Sequence, residues 1–174
     1  MVKLAGMRMK KNINIGISMA VWIAAVLVLI RAATAVGGEA EPVLPSPKDK
    51  CPVCGMFVAK YPDFLAKIIF KDNSVVFFDG PKDMFKYYFN LQEYERLKRR
   101  SDIDTIYVTD YYHLTQIDGQ KARYVMGSDI YGPMGRELIP FEKPEDAGEF
   151  LKDHNGRVIL EFGQVSYDIV QTLD

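Results

Sequence analysis

The stretch Phe78-Asp79-Gly80-Pro81-Lys82-Asp83 is matched in residue type, 63 residues later, by Phe141-Glu142-Lys143-Pro144-Glu145-Asp146. In both copies an apolar run ends at the phenylalanine, and a proline follows three residues later. Proline is pre-set for the first position of a helix, so each copy marks a change from strand to helix. Asp79 or Gly80 is expected to cap the first of these helices. The repeat predicts two copies of one supersecondary unit.

The residues around the two copies give each half of the chain the same order of elements. Runs of β-branched and aromatic residues predict strands, and an apolar stripe with helical spacing predicts a helix. The first half, residues 51–118, has predicted strands at 64–70, 74–79 and 103–113 and a predicted helix from 81 to 100. The second half, residues 119–174, has predicted strands at 121–126, 136–141 and 157–162 and a predicted helix from 144 to 154. The expected fold is therefore α+β, with two strand-strand-helix-strand halves that pack together because each alone is small for an independent core.

The N-terminus has the pattern of an export signal. Residues 13–30 are almost wholly apolar, basic residues precede them, and Ala33-Thr34-Ala35 resembles a signal-peptidase site. Cleavage there leaves 139 residues, but the apolar run is also close to the roughly 20 residues that span a bilayer. Residues 1–35 are thus either a removed signal peptide or a membrane anchor, and under both alternatives the remainder is translocated out of the cytoplasm. Residues 36–50 are rich in Pro and Gly and predict a linker.

The charge of the exported part excludes one large class of partners. Residues 1–35 hold five of the 22 Lys and Arg residues and none of the 23 Asp and Glu residues, so the remainder has a formal net charge of −6. Nucleic-acid binding needs a basic footprint, which this part of the chain lacks. The sequence also shows no serine elbow, no phosphate loop and no base near either thiol, so we do not expect an enzyme.

Both cysteines of the chain lie in Cys51-Pro52-Val53-Cys54-Gly55-Met56. Thiolate and thioether ligands select Cu(I) among the biological metals. Side chains two residues apart face the same way in extended backbone, and Gly55 leaves the chain free to bring both sulfur types onto one ion. A further methionine, Met134, stands in a Gly-Pro-Met-Gly turn, where it is either a ligand or a hydrophobe that anchors the loop.

Other uses of the two cysteines are weaker interpretations of the same residues. A Cys51–Cys54 disulfide would close a very short loop, which contributes little stability. A thioredoxin-like redox pair lies where a strand meets a helix, and this motif follows a Pro-rich linker instead. Haem attachment needs a His after the second cysteine, and zinc needs four ligands, whereas His113 and His154 stand alone. Copper binding is the favoured interpretation of the two cysteines, and the alternatives are a thiol–disulfide redox protein and a structural disulfide.

Three stretches resemble the NosL-type proteins, which are copper-binding accessories of nitrous oxide reductase maturation in denitrification. They are Cys-Pro-Val-Cys-Gly-Met at 51–56, the helix start at 78–85, and Gly-Ser at 127–128 with Gly-Pro-Met-Gly-Arg-Glu-Leu-Ile-Pro-Phe at 132–141. The resemblance extends over nearly all of the chain after Lys50. It implies two related α+β halves and one Cu(I) bound in the periplasm and supplied to the copper–sulfide centre of the reductase.

Carried over residue by residue, the resemblance implies that Cys54 and Met56 are copper ligands. Met134 is a candidate third ligand, and Cys51 lies outside the Cys-Gly-Met core of the family motif. The implied partners are the client cuproenzyme and a membrane copper-assembly complex. NosL-type proteins are commonly lipoproteins, but this chain has no cysteine directly after its signal. A protein anchor at residues 13–30 or a free periplasmic form would replace the lipid, and another exported cuproprotein is an alternative client.

Overall fold

The first sheet of the computed structural model has four antiparallel strands in the order β2-β1-β3-β4. Their bounds are β1 Ala66–Phe70, β2 Val75–Phe78, β3 Ile103–Thr109 and β4 Gln116–Asp118. The turn between β1 and β2 places Asn73 at a φ of 64°, a left-handed conformation that Asn tolerates better than most residues. The Asp72 carboxylate accepts hydrogen bonds from the backbone and hydroxyl of Ser74, which closes this hairpin.

The second sheet has three antiparallel strands in the order β6-β5-β7. Their bounds are β5 Arg123–Gly132, β6 Gly135–Phe141 and β7 Val158–Glu161. In both sheets the first strand of the half lies in the centre, with the second and third strands on either side. The sheets therefore have the same topology, apart from the additional β4 on the first.

Four helices lie among residues 43–174, together with short 3-10 turns. Their bounds are α1 Pro81–Phe89, α2 Leu91–Tyr94, α3 Pro144–Asp153 and α4 Tyr167–Gln171. Both longer helices carry proline in the first turn, as the repeat predicted. The predicted continuation of the first helix to residue 100 is wrong, because α1 ends at Phe89 and Asn90 adopts a non-helical conformation.

Two other local predictions are also corrected, and a third is decided. The strand predicted at 103–113 ends at Thr109, because the next residues turn back through Leu114 at a φ of 53° to begin β4. The segment 127–135 was expected to be a loop, but most of it extends β5, after a shift in pairing register between Met126 and Tyr131. Of the two residues expected to cap α1, Gly80 is the N-cap residue, which confirms that prediction.

The two halves share one main core. The ring of Phe85 on α1 lies 5.2 Å from that of Tyr124 on β5 and 5.0 Å from that of Phe162, which follows β7. All three belong to, or pack against, one cluster of buried side chains that draws on both sheets. A smaller cluster, which includes Phe141 and Phe150, lies between α3 and the second sheet. The predicted α+β class with two strand-strand-helix-strand halves is confirmed.

The structure describes residues 43–174, and Leu44–Asp174 form one compact unit. The signal or anchor predicted at residues 1–35 lies outside the described residues, as does most of the predicted linker. Among the helices of residues 43–174, none has the length and apolar character needed to cross a membrane.

Candidate metal centre

The six residues from Cys51 to Met56 fold into a tight turn ahead of the first sheet. The backbone N–H of Cys51 donates to the carbonyl of Met56 at 2.9 Å, and the N–H of Gly55 donates to the carbonyl of Cys51 at 2.9 Å. Gly55 has a φ of 78°, a conformation that a residue with a side chain rarely adopts. Lys50 and Phe57 pair across the base of the turn as an isolated antiparallel bridge. The backbone therefore closes on itself and holds both cysteines in one small loop.

Two carboxylates from the start of α1 meet the two thiols of this loop. The sulfur atoms of Cys51 and Cys54 and one carboxylate oxygen each from Asp79 and Asp83 all lie within 4.8 Å of one another. The Cys51 thiol donates to Asp83 Oδ2 at 3.4 Å, and the Cys54 thiol donates to Asp79 Oδ1 at 3.2 Å. We call these four side chains the thiol–carboxylate cluster. Asp79 directly precedes the N-cap residue Gly80 and Asp83 lies in the first turn of α1, so both carboxylates come from the same end of the helix.

Burial makes the charged forms of the thiols unfavourable when no cation is bound. Desolvation raises the pKa of Cys54 to about 12, and the neighbouring carboxylates of Asp83 and Asp79 add to the increase. The pKa of the more deeply buried Cys51 is also strongly raised, for the same main reason. Burial raises the pKa of Asp83 as well, and the charge of Asp79 contributes. The two thiols are therefore protonated at neutral pH when no metal is bound, and binding of a cation would release thiol protons.

One atom of the cluster has no hydrogen-bond partner among residues 43–174. Asp79 Oδ2 is buried and makes no hydrogen bond. A buried carboxylate oxygen without a partner is costly, and a bound cation would supply the missing interaction. The unpaired Asp79 Oδ2 atom is therefore consistent with a metal ion bound at this cluster.

The four predicted sulfur ligands occupy different positions relative to this cluster. Cys51 and Cys54 are members of it, and both are free thiols. Met56 is half-buried and lies in the same turn, two residues after Cys54. Met134 lies at the tip of the β5–β6 hairpin, with 46% of its surface exposed. Its backbone carbonyl accepts a hydrogen bond from Lys82 Nζ at 2.7 Å, which places the tip at the same end of α1 as the cluster. Copper ligation by these four residues stays a prediction.

The sequence reasoning missed both carboxylates. It assigned Asp79 as a possible helix cap, whereas the Asp79 side chain receives the Cys54 thiol and the N-cap residue Gly80 contributes no side-chain bond. It also set zinc aside for want of four ligands, but two thiolates and two carboxylates make a four-donor set of the kind that zinc accepts. The available signal was the pair of aspartates four residues apart at the predicted helix start.

Neither histidine belongs to the cluster. His113 lies in the turn after β3, rather than on the strand as predicted, and its Nδ1 atom is 2.9 Å from Asp110 Oδ1. His154 ends α3 as its C-cap residue, as the sequence predicted, and its Nδ1 atom is 3.0 Å from Asp129 Oδ1. The metal-ligating candidates among the described residues are thus sulfur and carboxylate groups.

The fold and the cluster together define a class of protein: a two-sheet α+β domain that brings two thiols and two carboxylates together between a tight loop and a helix start. Comparison with known proteins gives the family. The NosL family profile matches residues 42–170, and the "Copper-binding lipoprotein NosL" of Stutzerimonas stutzeri is 30% identical over 141 residues, which cover 75% of this chain and 69% of that protein. The chain belongs to the NosL family.

A solved structure shows the same fold. The crystal structure of the copper chaperone NosL from Shewanella denitrificans superposes with a TM-score of 0.62 at 21% identity. The match covers 72% of this chain and 96% of that chain. The match agrees with the α+β architecture described above.

Proposed function

We propose that this protein is an extracytoplasmic Cu(I) chaperone. In this proposal the Cys54 thiolate and the Met56 thioether hold the ion, and Cys51 and Met134 are the further sulfur ligands. The observation that carries the proposal is the tight turn at residues 51–56, which holds two free thiols and a thioether within six residues at one end of α1. Soft sulfur donors in so small a space select Cu(I) over harder ions.

Membership of the NosL family supports copper as the cargo. The Stutzerimonas stutzeri relative is a copper-binding lipoprotein and the Shewanella denitrificans relative is a copper chaperone by description. We extend the proposal to the client: an exported cuproenzyme, with the copper–sulfide centre of nitrous oxide reductase as the first choice. A membrane copper-assembly complex is the proposed donor or docking partner.

The exposure of the sulfur ligands suits release of the ion to a client. Cys54 is half-buried and Met134 is exposed, so a client's ligands can reach the metal while some of the original ligands remain bound. Exchange of one ligand at a time avoids a free copper ion. In the reverse direction, binding of Cu(I) requires loss of the thiol proton, so uptake weakens as the pH falls.

The thiol–disulfide alternative is less consistent with the site. A redox-active cysteine pair needs a lowered thiol pKa, because the thiolate is the attacking species. Burial and the adjacent carboxylates instead raise the pKa of both thiols, and that of Cys54 reaches about 12. We therefore propose that the two cysteines bind metal rather than exchange disulfides.

For the location, we propose the periplasmic face of the inner membrane. The apolar segment at residues 13–30 would direct export and, if retained, would tether the domain through the linker. The relative from Stutzerimonas stutzeri is a lipoprotein, which is a different attachment to a membrane. Both arrangements would keep a copper carrier close to membrane-bound partners.

Anaerobic titration of the reduced protein with Cu(I), in competition with a chromophoric chelator, tests the ligands. We expect one tightly bound ion per chain, a loss of about 100-fold or more in affinity in Cys54→Ala, and smaller losses in Met56→Leu and Met134→Leu. Met126→Leu, a half-buried methionine on β5, is the matched control and should bind normally. Wild-type affinity in Cys54→Ala would refute the assignment, and no competition with the chelator would refute copper binding itself.

A second experiment tests the client. The copper-loaded protein is mixed with copper-free nitrous oxide reductase in the presence of an excess of chelator. We expect copper to appear in the reductase at a rate that the chelator does not reduce, because the ion passes directly between ligands. Transfer that stops when the chelator is added would show release into solution and would contradict a specific client.

A further inference from the structure

The part of the β5–β6 hairpin that carries Met134 extends beyond its own sheet. Pairing between β5 and β7 runs only from Arg123 to Met126, and the pairing between β5 and β6 shifts register between Met126 and Tyr131. Beyond that shift the hairpin continues as two strands to Gly132 and Gly135. A two-stranded ribbon is marginally stable by itself. The position of the tip therefore depends on contacts from outside the sheet.

Glu137 of β6 supplies the first of these contacts. Its carboxyl group is buried and its Oε1 atom accepts the backbone N–H of Lys82 at 2.6 Å, as well as that of Leu138 at 2.8 Å. The N–H of Lys82 is one of the donors in the first turn of α1 that have no partner within the helix. Since the N-cap residue Gly80 has no side chain to serve them, Glu137 caps the helix of the first half from the second half.

Two glycines make the room for this carboxyl group. A Cβ atom on Gly80 would lie 2.2 Å from Glu137 Oε2, and a Cβ atom on Gly132 would lie 3.0 Å from Glu137 Cγ. Both distances are shorter than ordinary contacts. The close approach of helix start, hairpin and carboxyl group is therefore built into the sequence at three separate positions.

Lys82 supplies the second contact, because its side chain reaches from α1 to the hairpin tip. Its side chain is 3% exposed, and its ammonium group donates to the carbonyl of Met134 at 2.7 Å and to the carbonyl of Leu173 at 3.4 Å, with Asp174 Oδ1 at 3.7 Å. One residue of α1 thus binds Glu137 through its backbone and Met134 through its side chain. The next residue is Asp83, whose carboxylate receives the Cys51 thiol. The residue that binds the hairpin tip and a residue of the cluster are therefore neighbours in the chain.

We infer that Lys82 and Glu137 are positioning residues that hold the Met134 tip against the thiol–carboxylate cluster, so that the Cu(I) site is assembled from both halves of the protein. The inference rests on the proposed copper function and deepens it. The two side chains touch no metal themselves. They act by restricting where the Met134 thioether can lie, which lowers the entropy lost when it binds the ion.

The test is a double-mutant cycle on Cu(I) affinity, measured anaerobically by chelator competition with the full protein. Lys82→Leu, which leaves no donor for the tip, should weaken binding about tenfold, as loss of a supporting partner commonly does. If Lys82 acts through Met134, the double variant Lys82→Leu with Met134→Leu should bind no worse than Met134→Leu alone. Lys98→Leu is the control, because Lys98 is a partly buried lysine whose side chain contacts Phe70, Asp72 and Ser74 instead of the hairpin tip.

Several outcomes would overturn the inference. They are losses in Lys82→Leu and Met134→Leu that multiply in the double variant, an unchanged affinity in Lys82→Leu, and an unchanged affinity in Met134→Leu. These results would leave the proposed chaperone function standing. That proposal fails only if the wild-type protein does not bind Cu(I), or if Cys54→Ala binds Cu(I) with wild-type affinity.

A measurement on the wild type guards against a Lys82→Leu variant that fails to fold. The Lys82 amide hydrogen is bonded to Glu137, so its exchange with solvent reports directly on the contact. If Cu(I) and the two positioning residues hold the same hairpin tip, copper binding should slow that exchange severalfold, because the coupling is reciprocal. Exchange at Lys82 that is the same with and without copper would overturn the inference.

Discussion

Replacement of Gly80 by Ala tests the packing between α1 and Glu137 with the smallest possible change. Gly80 has extended backbone angles, φ −171° and ψ 161°, which alanine adopts without strain. Any loss of stability must then come from the new methyl group. That group would lie 2.2 Å from Glu137 Oε2 and 3.1 Å from Glu137 Cδ, so the carboxyl group has to move by roughly 1 Å to reach normal contact distance.

The carboxyl group is not free to make this movement. Glu137 Oε1 is held by the N–H groups of Lys82 and Leu138 at 2.6 and 2.8 Å, and a shift that breaks the bond to Lys82 leaves a buried donor unpaired. Such a loss costs about 1–3 kcal/mol, and overpacking without bond breakage costs a similar amount. Because alanine is also a poorer N-cap residue than glycine, we expect Gly80→Ala to reduce the free energy of unfolding by about 2 kcal/mol.

Urea unfolding of the reduced, metal-free protein, followed by circular dichroism, measures this change. Gly148→Ala is the matched control, since Gly148 lies within α3 with no atom within 4 Å of the added methyl group, and alanine there should stabilise by about 0.5–1 kcal/mol. In a Glu137→Ala background the cost of Gly80→Ala should fall below about 0.5 kcal/mol. Equal costs in both backgrounds would refute the role assigned to Glu137.

Two further predictions concern the core and the thiols. Phe85→Ala removes a ring that contacts Tyr124 and Phe162, so it should cost about 3–5 kcal/mol and leave one cooperative transition for both halves; two separate transitions in calorimetry would contradict a shared core. Because burial raises the pKa of Cys54 to about 12, its alkylation by iodoacetamide in metal-free protein should keep accelerating well above pH 9, and Asp79→Asn should move the inflection to lower pH. If the alkylation rate of Cys54 reached a plateau near pH 9, as it does for a free thiol, the raised pKa of Cys54 would be refuted. The sign of the shift also means that metal-free protein loses stability as the pH rises above the unfolded thiol pKa of about 8.5.

Local signals were sufficient for the order of elements. Proline at the first turn of α1 and α3, and the apolar runs before them, depend on backbone geometry that a short stretch of residues determines by itself. The two-fold repeat of these signals then indicated the two halves. The end of α1 at Phe89 was missed because the charged residues up to 100 are compatible with a helix, whereas in the structure the Arg100 side chain donates to the last carbonyls of α1, those of Tyr88 and Phe89.

The sequence by itself determined the class of fold, the family resemblance and the position of the sulfur motif, because each of these depends on residues that are close together in the chain. The tertiary structure decided what surrounds that motif. Asp79 and Asp83 face Cys54 and Cys51 across 25 and 32 residues, and Glu137 caps Lys82 across 55. The thiol–carboxylate contacts exist only once the first half has folded, and the contact between Glu137 and Lys82 only once both halves have packed on a common core, so a local pattern does not by itself reveal which residues meet.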